Sequence, residues 1–141
     1  MQQRKLIFLC SPYSSTNSAQ HHLNIQLAEL CCLYIVRQGY VPLAPHLLYT
    51  TFLDDRVSSE REAGIECGLT LLAKCDEMWL PAYGGLSDGM QLEMDEADRL
   101  KIPKFHLHPR LLIDTLTGDP RKPKYKLLLV ELRKELSWQN T

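Results

Sequence analysis

Four short apolar runs, each followed by a longer stretch of helical periodicity, leave this chain few architectures to choose from. The runs are residues 5–10, 40–44, 78–82 and 104–108. The first is continuous (Leu6, Ile7, Phe8, Leu9), the pattern of a strand buried on both faces and hence of a parallel sheet. The second contains Pro42, which cannot donate to a ladder and assigns that strand to an edge. After the first run, Asn17 or Ser18 caps a helix reaching about Gln38, with Leu23, Leu27, Leu30 and Tyr34 on one stripe and Gly39 as its stop. After the second, Ser58 or Ser59 caps a helix ending near Lys74, with Glu62 at capping-box spacing from Ser59 and a buried stripe of Ile65, Leu69 and Leu72. After the third, a helix runs from about Asp88 to Lys101 and stops at Ile102-Pro103. This βαβαβαβ alternation predicts one α/β domain over residues 1–141. It is a three-layer Rossmann-like (flavodoxin-type) fold, with a mainly parallel sheet and right-handed crossovers.

Beyond residue 108, residues 109–117 read as a short helix and 118–123 as a Pro-rich basic loop. A C-terminal amphipathic helix follows over about 124–137. Its apolar side, Leu128, Leu129, Leu132 and Leu136, either covers the sheet or pairs with another subunit. With 141 residues, and 16 Lys plus Arg against 17 Asp plus Glu, the chain has no basic field for a nucleic acid polymer. No apolar run approaches ~18 residues and no signal peptide opens the sequence, so no membrane span is expected and a cytoplasmic location is. Five cysteines without a CxxC pair read as small core hydrophobes in a reducing compartment. His21 and His22 are neighbours on a helix and diverge by ~100°, so no metal site is expected.

One residue breaks the pattern. In the stretch 84–97 a glycine-rich loop enters a helix on which Met90, Glu93, Met94 and Ala97 share one face at i, i+3, i+4, i+7. A carboxylate on a buried face costs free energy unless it is paired, solvated by a cleft or put to use. Glu93 is therefore the anchor of any site. Open α/β sheets bind ligands at the C-terminal ends of their strands, which brings in the Ser-rich loop 11–16 after the first strand, with Tyr13 and Ser14 as ligand contacts. His46, after Pro45 at a strand end, is an acid or base near neutral pH or a packed histidine. Asp88 is an N-cap or a catalytic acid. Asp54, Asp55 and Arg56 form a solvated turn or, from a loop over the strand ends, contact a base or ribose, and Arg61 is a surface residue or a phosphate contact.

Four of these pieces in order, the strand ending in Ser11-Pro12-Tyr13-Ser14, the segment Pro45-His46-Leu47-Leu48, the Cys75-Asp76-Glu77 turn and Ser87-x-Gly89-Met90-x-x-Glu93-x-x-x-Ala97, resemble the nucleoside 2-deoxyribosyltransferase-like superfamily. The set is most similar to its small bacterial and phage DUF4406-type branch. The resemblance covers about residues 5–108 and leaves 109–141 as an extension. It implies that Glu93 is a nucleophile toward the anomeric carbon of a (2-deoxy)ribosyl group, with the nucleobase leaving. It implies further that Ser87 and Gly89 hold phosphate or ribose, that Tyr13 orients the nucleophile, and that Asp88 or His46 assists base departure. Ser11, Pro12, Ser14, His46 and Met90 complete the substrate contacts. The first strand carries Phe8 where the family often has an orienting Tyr, and Ser11 stands where a Gly is usual. The expected partner is a small nucleoside or nucleotide, without metal or redox cofactor, and family relatives make a homo-oligomer the expected assembly. The competing reading is a non-catalytic nucleotide binder. A flavin protein is set aside, because its Ser/Thr-x-Thr-Gly-x-Thr loop is absent from residues 11–18.

Overall fold

A computed structural model describes residues 3–13 and 15–139. Four parallel strands, β1 (Leu6–Leu9), β2 (Val41–Leu43), β3 (Glu77–Pro81) and β4 (Lys104–Leu107), form one sheet in the order β2-β1-β3-β4. This is the beginning of the flavodoxin-like order, with chain direction reversing on either side of β1. Pro42 lies in β2 at the edge, as its missing N–H requires. The helices are α1 (Ser18–Arg37), α2 (Pro45–Leu48), α3 (Ser58–Leu72), α4 (Asp88–Arg99), α5 (Pro109–Leu116) and α6 (Lys126–Gln139). Short 3-10 turns at Tyr49–Thr51 and Lys122–Tyr125 extend α2 and lead into α6.

Alternation along the central strands builds the three layers. Ile7 and Leu9 of β1, with Trp79 of β3, face a cluster shared by α1, α5 and α6, while Phe8, Cys10, Met78 and Leu80 face the opposite cluster with Leu72, Met90 and Ala97 of α3 and α4. The C-terminal helix covers the sheet: Leu128, Leu129 and Leu132 are buried against α1 and α5. The stripe that offered a subunit contact is thus used within the chain.

Local chemistry sets most helix ends where the sequence puts them. Asn17 caps α1 through its side-chain oxygen, and Gly39, at φ 88°, ends it. Two expectations fail. The α3 N-cap is Val57, which has no side-chain cap. Neither Ser58 nor Ser59 supplies the cap, and the nearby glutamate that turns back is Glu60, whose carboxylate accepts from the Asp54 N–H at 3.4 Å. The cap of α4 is Ser87, whose hydroxyl accepts from the Met90 N–H at 3.2 Å, and Asp88 is the first helical residue. All five cysteines are free, with Cys10, Cys31 and Cys75 buried. Among the described residues no helix is long and apolar enough to cross a membrane.

Candidate active site

At the C-terminal end of the sheet, the loop after β1, the segment after β2, the face of α3 and the first turns of α4 enclose a cleft of about 260 Å³. That is close to the lower end of the ~300–1,000 Å³ typical of small-molecule sites. Parallel topology explains its place. β1, β2 and β3 all deliver their connections to the same end, and α3 and α4 both begin there.

Glu93 lies on the wall of this cleft, one turn inside α4 and only 6% exposed. Its Oε2 stands 3.3 Å from Nε2 of His46, and its Oε1 is buried without a hydrogen-bond partner. The 3.3 Å separation is an ion-pair contact, longer than the ~2.7–2.9 Å of a tight charge-assisted bond. Burial works against a charge on His46, and the neighbouring Glu93 and Asp55 carboxylates more than offset it, so the imidazole pKa lies above its ordinary 6.5. The Cys10 thiol is held protonated by burial first and by the neighbouring Glu93 carboxylate second.

His46 is itself held. The Tyr13 ring stacks on it at 5.6 Å, nearly parallel, and the Tyr13 hydroxyl donates to Thr50 Oγ1 at 2.8 Å. Thr50 in turn donates to the His46 carbonyl at 2.6 Å. The Tyr13 hydroxyl therefore does not touch Glu93; whatever it orients, it orients through the His46 ring. Phe8, at the position where an orienting hydroxyl was looked for, is fully buried under α4 with Met90 and Ala97.

Of the residues singled out from sequence, Ser11, Tyr13, His46, Ser87, Asp88, Gly89, Met90 and Glu93 all line the cleft. Pro12 does not. It lines a second depression beyond the Gly84–Gly85 loop and packs against Gly84, where an added Cβ would meet its ring at 3.2 Å. Ser14 lies outside the described residues.

Arg61 and Asp55, each left open between surface and ligand contact, line the cleft, and other lining residues were missed or misplaced. Arg61, Gly64, Ile65, Gly68 and Leu69 line the cleft from α3, at i, i+3, i+4, i+7 and i+8, the spacing of a single face. That periodicity was visible, but Ile65 was assigned to the core, whereas it is 38% exposed and looks into the cleft. Gly68 lets Pro45 of α2 lie close to the helix, with a virtual Cβ only 3.8 Å from the proline. Asp55 also faces the cleft, while Asp54 and Arg56 pair with each other on the surface as a solvated turn should.

A family model described as "Domain of unknown function (DUF7768)" matches residues 5–106. The branch named from the motifs, DUF4406, is therefore not the one that matches. No curated protein matches the chain. Among solved structures, a 2-deoxyribosyltransferase from the psychrotolerant bacterium Bacillus psychrosaccharolyticus is similar, with a TM-score of 0.54 and 17% identity over 72% of this chain and 70% of that one. At that identity the likeness is one of fold.

Proposed function

The chain belongs to the family described as a domain of unknown function (DUF7768), and for this member we propose cleavage of the N-glycosidic bond of a nucleoside or nucleoside 5′-monophosphate. The sugar passes to water or, as a 2-deoxyribosyl group, to a second base, with Glu93 as nucleophile. The observation that carries this reading is the Glu93 carboxylate: almost fully buried, on a cleft wall, with Oε1 unpartnered. A buried polar atom left without a partner costs free energy, about 1–3 kcal/mol, and a carboxylate kept on a cleft wall at such a cost is a functional-site candidate.

The chemistry then follows from the carboxylate. The Glu93 carboxylate attacks the anomeric carbon, the base leaves, and a second displacement on the glycosyl ester restores Glu93, so configuration is retained overall. The Gly89 region and Ser87 offer donors to a sugar hydroxyl or phosphate, with Asp88 beside them. Ile65, Leu69 and Leu92 give the cleft an apolar wall on which a base can pack. The activity of the similar solved structure, 2-deoxyribosyl transfer, is of the same class. A homo-oligomer remains part of the proposal, and sedimentation at working concentration tests it.

The test is release of free base from a panel of nucleosides and 5′-mononucleotides, followed by chromatography, with wild type and Glu93→Gln side by side. The expected result is release by wild type and none by the variant, with a 2-fluoro sugar analogue leaving a covalent mass on Glu93. Undiminished release by Glu93→Gln rejects the nucleophile. Calorimetric binding of a nucleotide without any release identifies a sequestering protein instead.

A further inference from the structure

Glycine is out of place in the middle of α3. Gly64 and Gly68 lie one turn apart inside Ser58–Leu72, and after proline glycine is the poorest helix former. Neither the backbone nor the packing asks for it. Both residues are helical with negative φ, the positive-φ glycines being Gly39, Gly84, Gly85 and Gly118. A Cβ on Gly64 would stand 3.5 Å from Leu53 Cδ1, and one on Gly68 3.8 Å from Pro45 Cβ, both ordinary van der Waals separations. Beyond the local backbone, nothing else among the described residues would come within 4 Å of the first, and only the Pro45 ring within 4 Å of the second. Alanine would fit at both places and make a better helix.

What the missing methyl groups leave is room in the cleft. Gly64 and Gly68 line it, as do Leu53 and Pro45, the residues nearest to the absent Cβ atoms, and Ile65, Leu69 and Leu92 line it with them. The same cleft holds Glu93, 6% exposed and with one oxygen unpartnered. The furrow on α3 therefore belongs to the cavity that the carboxylate marks as a site.

We infer that Gly64 and Gly68 determine specificity for the base, cutting a furrow in α3 that admits a two-ring purine and favours it over a one-ring pyrimidine. This rests on the reading of the cleft as a nucleoside site. Between the two glycines the helix rises ~6 Å, so the furrow is elongated, as a fused bicycle is and a single ring is not. It carries no side chain, and the N–H and C=O groups of a helix interior are committed to the helix. The furrow can read the length and thickness of a ring system but not the donors and acceptors on its edge. Selection is then by apolar area buried, of which a purine has more than a pyrimidine, and purines that differ only in edge groups should be used alike. Alanine at either position puts a methyl group where the purine lies, and a pyrimidine, which does not reach it, loses little.

The test compares wild type with Gly64→Ala and Gly68→Ala on 2′-deoxyadenosine, 2′-deoxyinosine, 2′-deoxycytidine and thymidine. Wild type should prefer the two purines. Each variant should lose ~10-fold or more in kcat/KM for purines, the scale of one methylene in an apolar pocket, and stay within about 3-fold for pyrimidines. Calorimetric binding of the same nucleosides to Glu93→Gln forms, which do not turn over, should show the same selective loss. The Tm of each variant should equal or exceed that of wild type, because alanine is the better helix former. Equal losses for purines and pyrimidines, or a pyrimidine preference in wild type, overturn the inference and leave the nucleophile in place. A lower Tm in either variant assigns that glycine to helix packing and overturns its role in specificity. Purine-selective loss of binding without base release by any form removes the nucleophile and keeps the furrow, whereas no binding of any nucleoside removes both.

Discussion

The side-chain amide of Asn24 donates to the backbone carbonyl of Tyr13 at 3.1 Å, so a residue nearly two turns inside α1 fixes the loop whose ring covers His46. The same carbonyl lies 3.0 Å from Nδ1 of His21, and Gln20 donates to the Asn24 oxygen at 3.0 Å. Asn24 is 3% exposed. Replacing it with Ala leaves the Gln20 amide without its acceptor and the Tyr13 carbonyl with one partner fewer. The expected cost is about 1–2 kcal/mol of unfolding free energy in urea, with kcat lowered more than KM, because Tyr13 would no longer hold the His46 ring. A variant with wild-type kcat would show that the loop does not need this tie.

The cap of α4 should matter in proportion to one lost hydrogen bond. Ser87→Ala frees the Met90 N–H and is expected to cost about 1 kcal/mol, whereas Ser87→Asp, which keeps an acceptor, should come close to wild type. Denaturant midpoints of the two variants check the order. Equal stability of both would mean that the hydroxyl is not acting as a cap.

Protonation of His46 should stabilise the fold, with a defined sign. Its folded-state pKa is raised above 6.5, burial being outweighed by Glu93 and Asp55. The charged form is therefore favoured in the native state, and that stabilisation is complete below about pH 6 and lost as pH rises through the raised folded value. The Tm difference between wild type and His46→Gln should accordingly be largest near pH ~5.5 and shrink toward pH ~9. A difference that grows with pH would contradict the shift.

Glycine should be the favoured residue at two backbone positions. Lys101 ends α4 with φ 59°, in the left-handed region that a side chain disfavours by about 1–2 kcal/mol, so Lys101→Gly should raise stability by up to about 1 kcal/mol. Gly84 has φ 86° and lies against Pro12, so Gly84→Ala should lower it by at least about 1 kcal/mol and shift the loop that leads to Ser87. Differential scanning calorimetry of the two variants tests both signs.

How much of this was legible beforehand depends on the range of the interactions involved. The strands, the edge position of β2, the Asn17 cap and the Gly39 stop follow from properties a few residues wide, so the chain's own pattern announces them. Glu93 was visible for the same reason, as a carboxylate in the middle of an apolar helical stripe. Ile65 was assigned to the core and Gly64 and Gly68 to no site, although their spacing with Arg61 was plain. A helix periodicity says which residues share a face, and only the neighbouring element says whether that face meets a core or a cavity. The cap of α3 was misread because a serine at the right spacing competes with whatever else the loop can offer.

From the amino-acid sequence alone came the layering, the parallel sheet and a carboxylate that needed a reason to be buried. Tertiary structure decided what answers that need: His46 on one oxygen and nothing on the other, a stacked tyrosine behind the histidine, and Asp55 across the cleft. Tyr13, His46 and Glu93 are separated by tens of residues along the chain, and neither propensity nor periodicity acts over such distances. They meet because parallel strands return every connection to the same end of the sheet.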